Sequence, residues 1–423
     1  MLGLGPRVCV RGLRPGERFL VRLLIHDTSG HPFQIQLSRW LARRGHQVLH
    51  CTWADMETPH GSLDRRADDP PTLEVARLSL GQPVPKYNFI KRWFVERRFA
   101  RLLASRVRAF HPDVAVTANA TPIVQAAVLR AAHSQGAAVV DWLQDIVSVI
   151  AAIILPERHP RLGPLVAALL RFQEFRVLRR CERVACISPD FVPLCRAGGV
   201  AADKIAVLPN WAPLPELPLL PRDNEWARRH GLVGKRVALY SGTLGLKHNP
   251  LMLSTLARSL REVDDARVVV ISQGLGRAAL EEAKQRWSLD NLLLLDFQPF
   301  EDMPAILASA DLLLALLEEH AGPMAVPSKV LTYLCAGRPI LGAIPGDNLA
   351  ARVILEAGAG RVVAPGDSFL FDEAARAILE DREGAQSMGA AARAYAERTF
   401  EIEMIGPKFE SLFNDALLSR RQG

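Results

Sequence analysis

Cysteine is sparse in this chain and never clustered: Cys9, Cys51, Cys181, Cys186, Cys195 and Cys335 form no Cys-x-x-Cys pair. That spacing speaks against a zinc site and against a disulfide framework, and it fits a reducing cytoplasm. Long apolar runs are missing too. The longest, residues 146–155, is about half of what a bilayer span requires. Residues 1–20 carry Arg7, Arg11, Arg14 and Arg18 and no apolar core, so they do not read as a secretory signal. They are expected to be a disordered extension, or residues ahead of the true start. No zinc-finger, RRM-like or basic-arm pattern accompanies the net charge of +7, which argues against nucleic acid as a partner. An anionic membrane surface is the other partner such a charge suits.

What is present is the rhythm of two globular domains. At 423 residues the chain is too long for one typical core, and two domains of roughly 200 residues are the expectation. Six short apolar runs at 22–25, 47–53, 113–118, 137–143, 183–188 and 204–209 predict buried strands. Six more follow at 236–241, 266–272, 291–297, 311–317, 339–344 and 360–365. Helical spacing fills most intervals; Phe33, Leu37, Trp40 and Leu41 stand at i, i+4, i+7 and i+8 before Gly45. Fully apolar strands alternating with helices mean parallel sheets covered on both faces.

Between the halves, Pro209, Pro213, Pro215 and Pro218 predict a stiff, extended, non-helical connection. The α/β reading is therefore an extension at 1–20, a doubly wound, Rossmann-like domain at 21–208, a linker at 209–220 and a second such domain at 221–395. A helix at 396–423 closes the chain, with a return to the first domain as one arrangement for it. Ligands of such folds lie in the cleft at the carboxyl ends of the strands. A single large α/β domain is the alternative.

Residues 311–345 are the densest in meaning. An apolar run ends on Glu318 and Glu319, and a loop with Gly322 and Pro323 follows. Pro327-Ser328-Lys329 then opens a helix that stops at Gly337, ahead of another apolar run. Proline before a helix and glycine just past it are the expected punctuation. A strand that delivers acids and a glycine loop to a helix start builds an anion site, because free N–H groups and the positive dipole end face one spot. A sugar nucleotide fits such a site; an ordinary β-loop-α-β unit is the plainer alternative.

This segment resembles the donor region of glycosyltransferase family 4, the retaining sugar transferases of the GT-B fold. The resemblance is closest to bacterial members in exopolysaccharide, capsule and O-antigen synthesis, and it extends from about residue 21 to about residue 400. Two further motifs carry it: Tyr240-Ser241-Gly242-Thr243-Leu244-Gly245-Leu246-Lys247 at a strand end, and a first helix closed by Arg43-Arg44-Gly45-His46.

The resemblance implies a donor site in the second domain. Gly242, Thr243 and Gly245 form the phosphate loop, and Lys247 matches the lysine that neutralises the departing diphosphate; Thr243 stands where an arginine is usual. Gly274 and Gly276 let the nucleotide lie on bare backbone. Phe297 and Gln298 meet the base. The family's paired glutamates align with Met324 and Thr332, neither of them acid, so Glu318 or Glu319 takes the sugar-hydroxyl role from a shifted loop. Backbone around Gly322, Pro323, Met324 and Ala325 binds hexose and phosphate, and Ser328 and Lys329 face the diphosphate.

In the first domain the resemblance places the acceptor at Asp27, Gly30 and His31, where a simple turn and helix cap is the alternative. Gln144 or Asp145 occupies the place of the family's histidine. Asp145 accepts a sugar hydroxyl or the acceptor proton, or else caps the segment that follows. Lys247, Glu318, Glu319 and Asp145 are thus the candidate catalytic residues.

No Asp-x-Asp occurs, so no essential metal and no cofactor are expected; the nucleoside-diphosphate sugar is a substrate. Between Lys86 and Arg108 stand eight basic residues and one acid, Glu96, with Tyr87, Phe89, Trp93, Phe94 and Phe99 interleaved. Such a helix suits an anionic bilayer or, equally, an ordinary half-buried position.

The function implied is hexosyl transfer to a lipid-linked or polysaccharide acceptor with retention, in the cytoplasm or peripherally on the inner face of the membrane. A nucleotide-sugar 2-epimerase and a catalytically silent binding subunit of the same fold are the rivals.

Overall fold

The computed structural model describes residues 20–56, 63–85, 88–245, 248–263, 265–319 and 328–422. The first half runs β1 (Arg22–Asp27), α1 (Pro32–Arg43), β2 (Gln47–Trp53), β3 (Leu73–Leu78), α2 (Phe89–Phe110), β4 (Val114–Ala118), α3 (Pro122–His133), β5 (Ala138–Leu143), α4 (Val147–Arg158), α5 (Gly163–Leu178), β6 (Arg183–Cys186), α6 (Phe191–Ala197) and β7 (Ile205–Val207). The second runs α7 (Glu225–Arg229), β8 (Arg236–Ser241), α8 (Leu251–Ser259), β9 (Ala266–Ile271), α9 (Leu275–Trp287), β10 (Leu292–Leu295), α10 (Met303–Ala308) and β11 (Leu312–Leu316). It continues with α11 (Ser328–Cys335), β12 (Ile340–Ala343), α12 (Leu349–Glu356), β13 (Gly360–Val363), α13 (Ser368–Glu380), α14 (Arg382–Thr399) and α15 (Ile402–Gln422).

The strands form two wholly parallel sheets, ordered β3-β2-β1-β4-β5-β6-β7 and β10-β9-β8-β11-β12-β13. Each expected strand has its counterpart, and the first sheet gains β3. That strand lies at an edge and alternates buried with exposed side chains, so a search for continuous apolar runs passes over it. Strand order reverses between β1 and β4 and between β8 and β11. Those two switch points are where an α/β sheet opens a crevice for a ligand.

The proline-rich connection is neither free-standing nor wholly extended. Leu214–Glu216 forms one 3-10 turn, which Pro215 tolerates because the first turn of a helix needs no N–H from it. Trp211, Ala212 and Leu217 are buried, and the Trp211 indole N–H donates to Gln36 of α1 at 2.6 Å.

The last helix packs on the first domain. Phe409 of α15 sits 4.6 Å from Trp142 of β5 and 5.8 Å from Trp211, ring centre to ring centre. The Trp40 indole donates to Glu403 at 2.9 Å, and Gly406 lets the two helices meet: a Cβ there would lie 2.5 Å from the Trp40 ring. Glu410 receives both Arg44 and His46 at 2.9 Å. Among the described residues no helix is long and apolar enough to cross a membrane.

Candidate functional site

At the end of β1 the chain must turn sharply into α1, and Gly30 makes the turn at φ +72°. The Asp27 carboxylate, fully buried, accepts the backbone N–H groups of Ser29 (3.0 Å) and His31. Burial raises its pKa to about 7 although those N–H groups pull the other way. Asp27 is therefore bound up in shaping the turn. Asn119, just past β4 and in the left-handed region at φ +53°, donates to Ser29 Oγ at 2.6 Å. That bond ties together the two strand ends of the first switch point. His31 is half-buried and stacks on Phe33 at 5.2 Å; desolvation lowers its pKa to about 4, so it is a neutral ring. His26 turns into the core against Phe99, with both ring nitrogens unpartnered. It belongs to the packing.

At the end of β5, Gln144 and Asn210 exchange amide hydrogen bonds of 2.6 and 3.3 Å, which fasten the strand end to the interdomain connection. Asp145 follows, half-buried. The first N–H groups of α4, those of Val147 and Ser148, donate to Glu174 of α5, at 2.9 and 3.0 Å. Burial, with the neighbouring Asp145 charge adding, holds Glu174 above the usual carboxylate range.

The second switch point is built by α11 reaching across to β8. The Lys329 ammonium donates to the Tyr240 hydroxyl and lies 3.7 Å above the centre of that ring. Gly242 makes room for it: a Cβ there would come within 3.1 Å of Lys329 Nζ. Tyr240 in turn donates to the Thr243 carbonyl at 3.0 Å. Four residues on from Lys329, the Tyr333 hydroxyl accepts from the Ser241 N–H at 2.9 Å and donates to its carbonyl at 3.3 Å. Burial lowers the Lys329 pKa to about 7. Among the described residues no ion pair partners it; a hydroxyl and a π-face do, which leaves its charge available to an incoming anion.

Around this cluster, Ser328 is exposed at the helix start and Thr332 is half-buried. Glu318 is half-buried and Glu319 exposed, just past β11. The Gly245 N–H donates to His248 Nδ1 at 3.2 Å. Gly274 precedes α9 at φ +109°. Gly276 donates its N–H to the Leu244 carbonyl at 3.1 Å, and a Cβ on it would meet the Leu244 side chain at 2.7 Å. These two glycines seat α9 against the β8 loop. Phe297 and Gln298 are half-buried beyond β10, and the Gln298 amide donates to the Asp296 carbonyl at 3.0 Å. Lys247, Gly322, Pro323, Met324 and Ala325 lie outside the described residues. Tyr240, Tyr333 and Asn119 escaped sequence reasoning: a tyrosine within an apolar run reads as core, and a single asparagine after a strand gives no signal.

Two family models match in tandem along the chain. The first, described as Glycosyl transferase 4-like domain, matches residues 34–211, and the second, Glycosyl transferases group 1, matches residues 223–395. The chain is 26% identical over 394 residues to WcaI of Escherichia coli (strain K12), a putative colanic acid biosynthesis glycosyl transferase; the match covers 88% of this chain and 93% of that one. Among solved structures it is similar to HepE of Anabaena, crystallised with UDP and glucose (18% identity, TM-score 0.68, 93% of this chain and 99% of that one). It is also similar to sucrose-phosphate synthase of Thermosynechococcus elongatus (15% identity, TM-score 0.72, 94% and 99%). The fold is GT-B.

Proposed function

The chain belongs to the glycosyltransferases of family 4, and from that premise we propose that it moves a hexose from a nucleoside-diphosphate sugar to a lipid-linked or polysaccharide acceptor, with retention of configuration, in surface polysaccharide synthesis. The observation that carries this reading is Lys329, an ammonium set beside the Gly242 turn at the second switch point. In that place it meets the diphosphate of a donor whose sugar lies toward Glu318 and Glu319. Gln144, Asp145 and His31 stand at the opposite strand ends, where an acceptor hydroxyl approaches. The acceptor oxygen bonds to the anomeric carbon on the face that the diphosphate leaves, and its proton passes to the departing phosphate. Catalysis on these terms is orientation plus stabilisation of the leaving charge, by Lys329 and by Lys247.

A thermal-shift panel of UDP, GDP, ADP, dTDP and their sugar conjugates tests the donor site, since a ligand at a hundred times its Kd stabilises a fold by about 2.7 kcal/mol. With the base identified, Lys329→Ala is expected to lower kcat/KM by about 10²-fold or more while the protein stays folded. Turnover like the wild type removes Lys329 from the mechanism. The pKa of about 7 adds a sign. Only the protonated amine attracts the diphosphate, so donor KM rises as pH climbs through 7, and Lys329→Arg flattens that rise.

The same reading places the enzyme on the cytoplasmic face of a membrane, docked through α2 so that a lipid-linked acceptor reaches the cleft. Trp93, Phe94, Arg97, Arg98 and Arg101 are all exposed on that helix, whereas Arg92 is paired with Glu96 at 2.7 Å. Reversing Arg97, Arg98 and Arg101 together is expected to release the protein from anionic vesicles; unchanged co-sedimentation rules the docking helix out.

A further inference from the structure

Arg97, Arg101 and Arg108 of α2, Arg130 of α3, Arg176 of α5 and Arg180 in the turn after α5 line one open trough with a volume of about 800 Å³. Between the arginines the lining is apolar apart from Gln173, and it includes Ile123 and Ala126 of α3. Among the described residues no acidic side chain lines the trough, and none of the six arginines makes an ion pair. The Arg97 guanidinium lies over the Trp93 ring, 4.5 Å from its centre. Each of these six guanidinium groups offers a planar fork that matches phosphate oxygens.

The rim is as unusual as the lining. Trp93 and Phe94 on α2, and Leu165, Leu169 and Phe172 on α5, are each 42–68% exposed. Apolar side chains of this size, gathered beside a polyanion site, mark a surface that is covered in use. Positive charge sunk between helices with apolar side chains around it is the complement of a phospholipid leaflet: phosphate inside the trough, acyl boundary at the rim. The orientation also serves the reaction. α2 precedes β4 and α3 follows it, so the Trp93 and Pro122 end of the trough lies at the carboxyl edge of the sheet, toward the cleft.

We propose that the trough between α2, α3 and α5 is a binding site for the phosphate headgroups of anionic phospholipid, with the exposed apolar side chains of α2 and α5 seated in the leaflet. The inference rests on the membrane reading above and adds to it a phosphate site shared with two further helices.

The test is co-sedimentation of the full chain with vesicles of phosphatidylcholine alone and of phosphatidylcholine mixed with phosphatidylglycerol. Arg101→Glu with Arg176→Glu alters the trough, Leu165→Ser with Phe172→Ser alters the rim, and Arg286→Glu with Arg398→Glu is a control of equal charge on the second domain. The wild type is expected to prefer the anionic vesicles, and the trough variant to lose at least about tenfold in that binding, because each basic residue near an anionic surface contributes substantially. The rim variant should weaken binding and the control should leave it unchanged, with the nucleotide thermal shift intact in all three. If the wild type binds no vesicle, the membrane reading falls and the trough site with it. If the wild type binds and the trough variant binds equally well, the membrane reading stands and the trough site is overturned. A soluble acidic polysaccharide that displaces the vesicles and binds the rim variant as well as the wild type also overturns it, in favour of a glycan.

Discussion

The two helical faces of the first sheet treat their arginines in opposite ways. On the α1 and α15 face each arginine of the first helix end has an acid: Arg39 meets Asp69 at 2.9 Å, Arg43 meets Asp68 at 2.7 Å and Arg44 meets Glu410 at 2.9 Å. On the α2, α3 and α5 face Arg92 and Arg106 do have acids, Glu96 and Glu74, but six further arginines share a trough without one among the described residues. The paired charges fasten distant parts of the chain to each other, while the unpaired ones fasten nothing within it. A net charge of +7 says little by itself; its concentration on one face is what carries meaning.

The sharpest way to test that contrast is through the aromatic contact beneath the paired face. Phe409→Ala removes the ring that packs on the stacked pair Trp142 and Trp211 and is expected to lower stability by about 3–5 kcal/mol, measured by chemical denaturation. A loss under about 1 kcal/mol would mean that α15 is dispensable to that core.

Next in size is Glu410→Gln, which leaves Arg44 and His46 without their shared acid and should cost about 1–2 kcal/mol at pH 7. Burial pushes the Glu410 carboxyl up, but hydrogen bonds from His46 and Arg44 outweigh it and hold the group below the usual range. A depressed carboxylate contributes stability above its unfolded pKa and loses it as pH falls through the folded one. The difference between Glu410→Gln and wild type should therefore shrink in acid. The smallest effect belongs to the trough: Arg101→Glu with Arg176→Glu should move stability by no more than about 0.5 kcal/mol. A large destabilisation there would show that the unpaired face is structural after all.

Both sheets are legible from the chain because buried parallel strands are written as continuous apolar runs, whereas edge strand β3 is not written that way. The linker's prolines reveal where the domains part. They do not reveal that Trp211 is buried, since Gln36, Trp142 and Phe409 are far from it in sequence. At the second switch point, Gly242 and Lys329 were both readable, one as a strand-end glycine and the other as the start of a helix. Their direct contact was not, because Tyr240 holds the amine from within an apolar strand. The trough is the least legible feature. Its arginines come from three helices and the turn after α5, and the helical spacing of Leu165, Leu169 and Phe172 describes a stripe without saying whether it faces core or solvent.

The return of α15 to the first domain also sets a timetable for synthesis. Trp142 and Trp211 leave the ribosome long before Phe409, and the whole second sheet is made in between. The nascent first domain must wait through that interval with an aromatic socket open, the kind of exposed apolar surface that chaperones hold and aggregates exploit. A chain stalled within the second domain carries that open socket indefinitely, so quality control can tell an unfinished copy from a finished one by a single unfilled site.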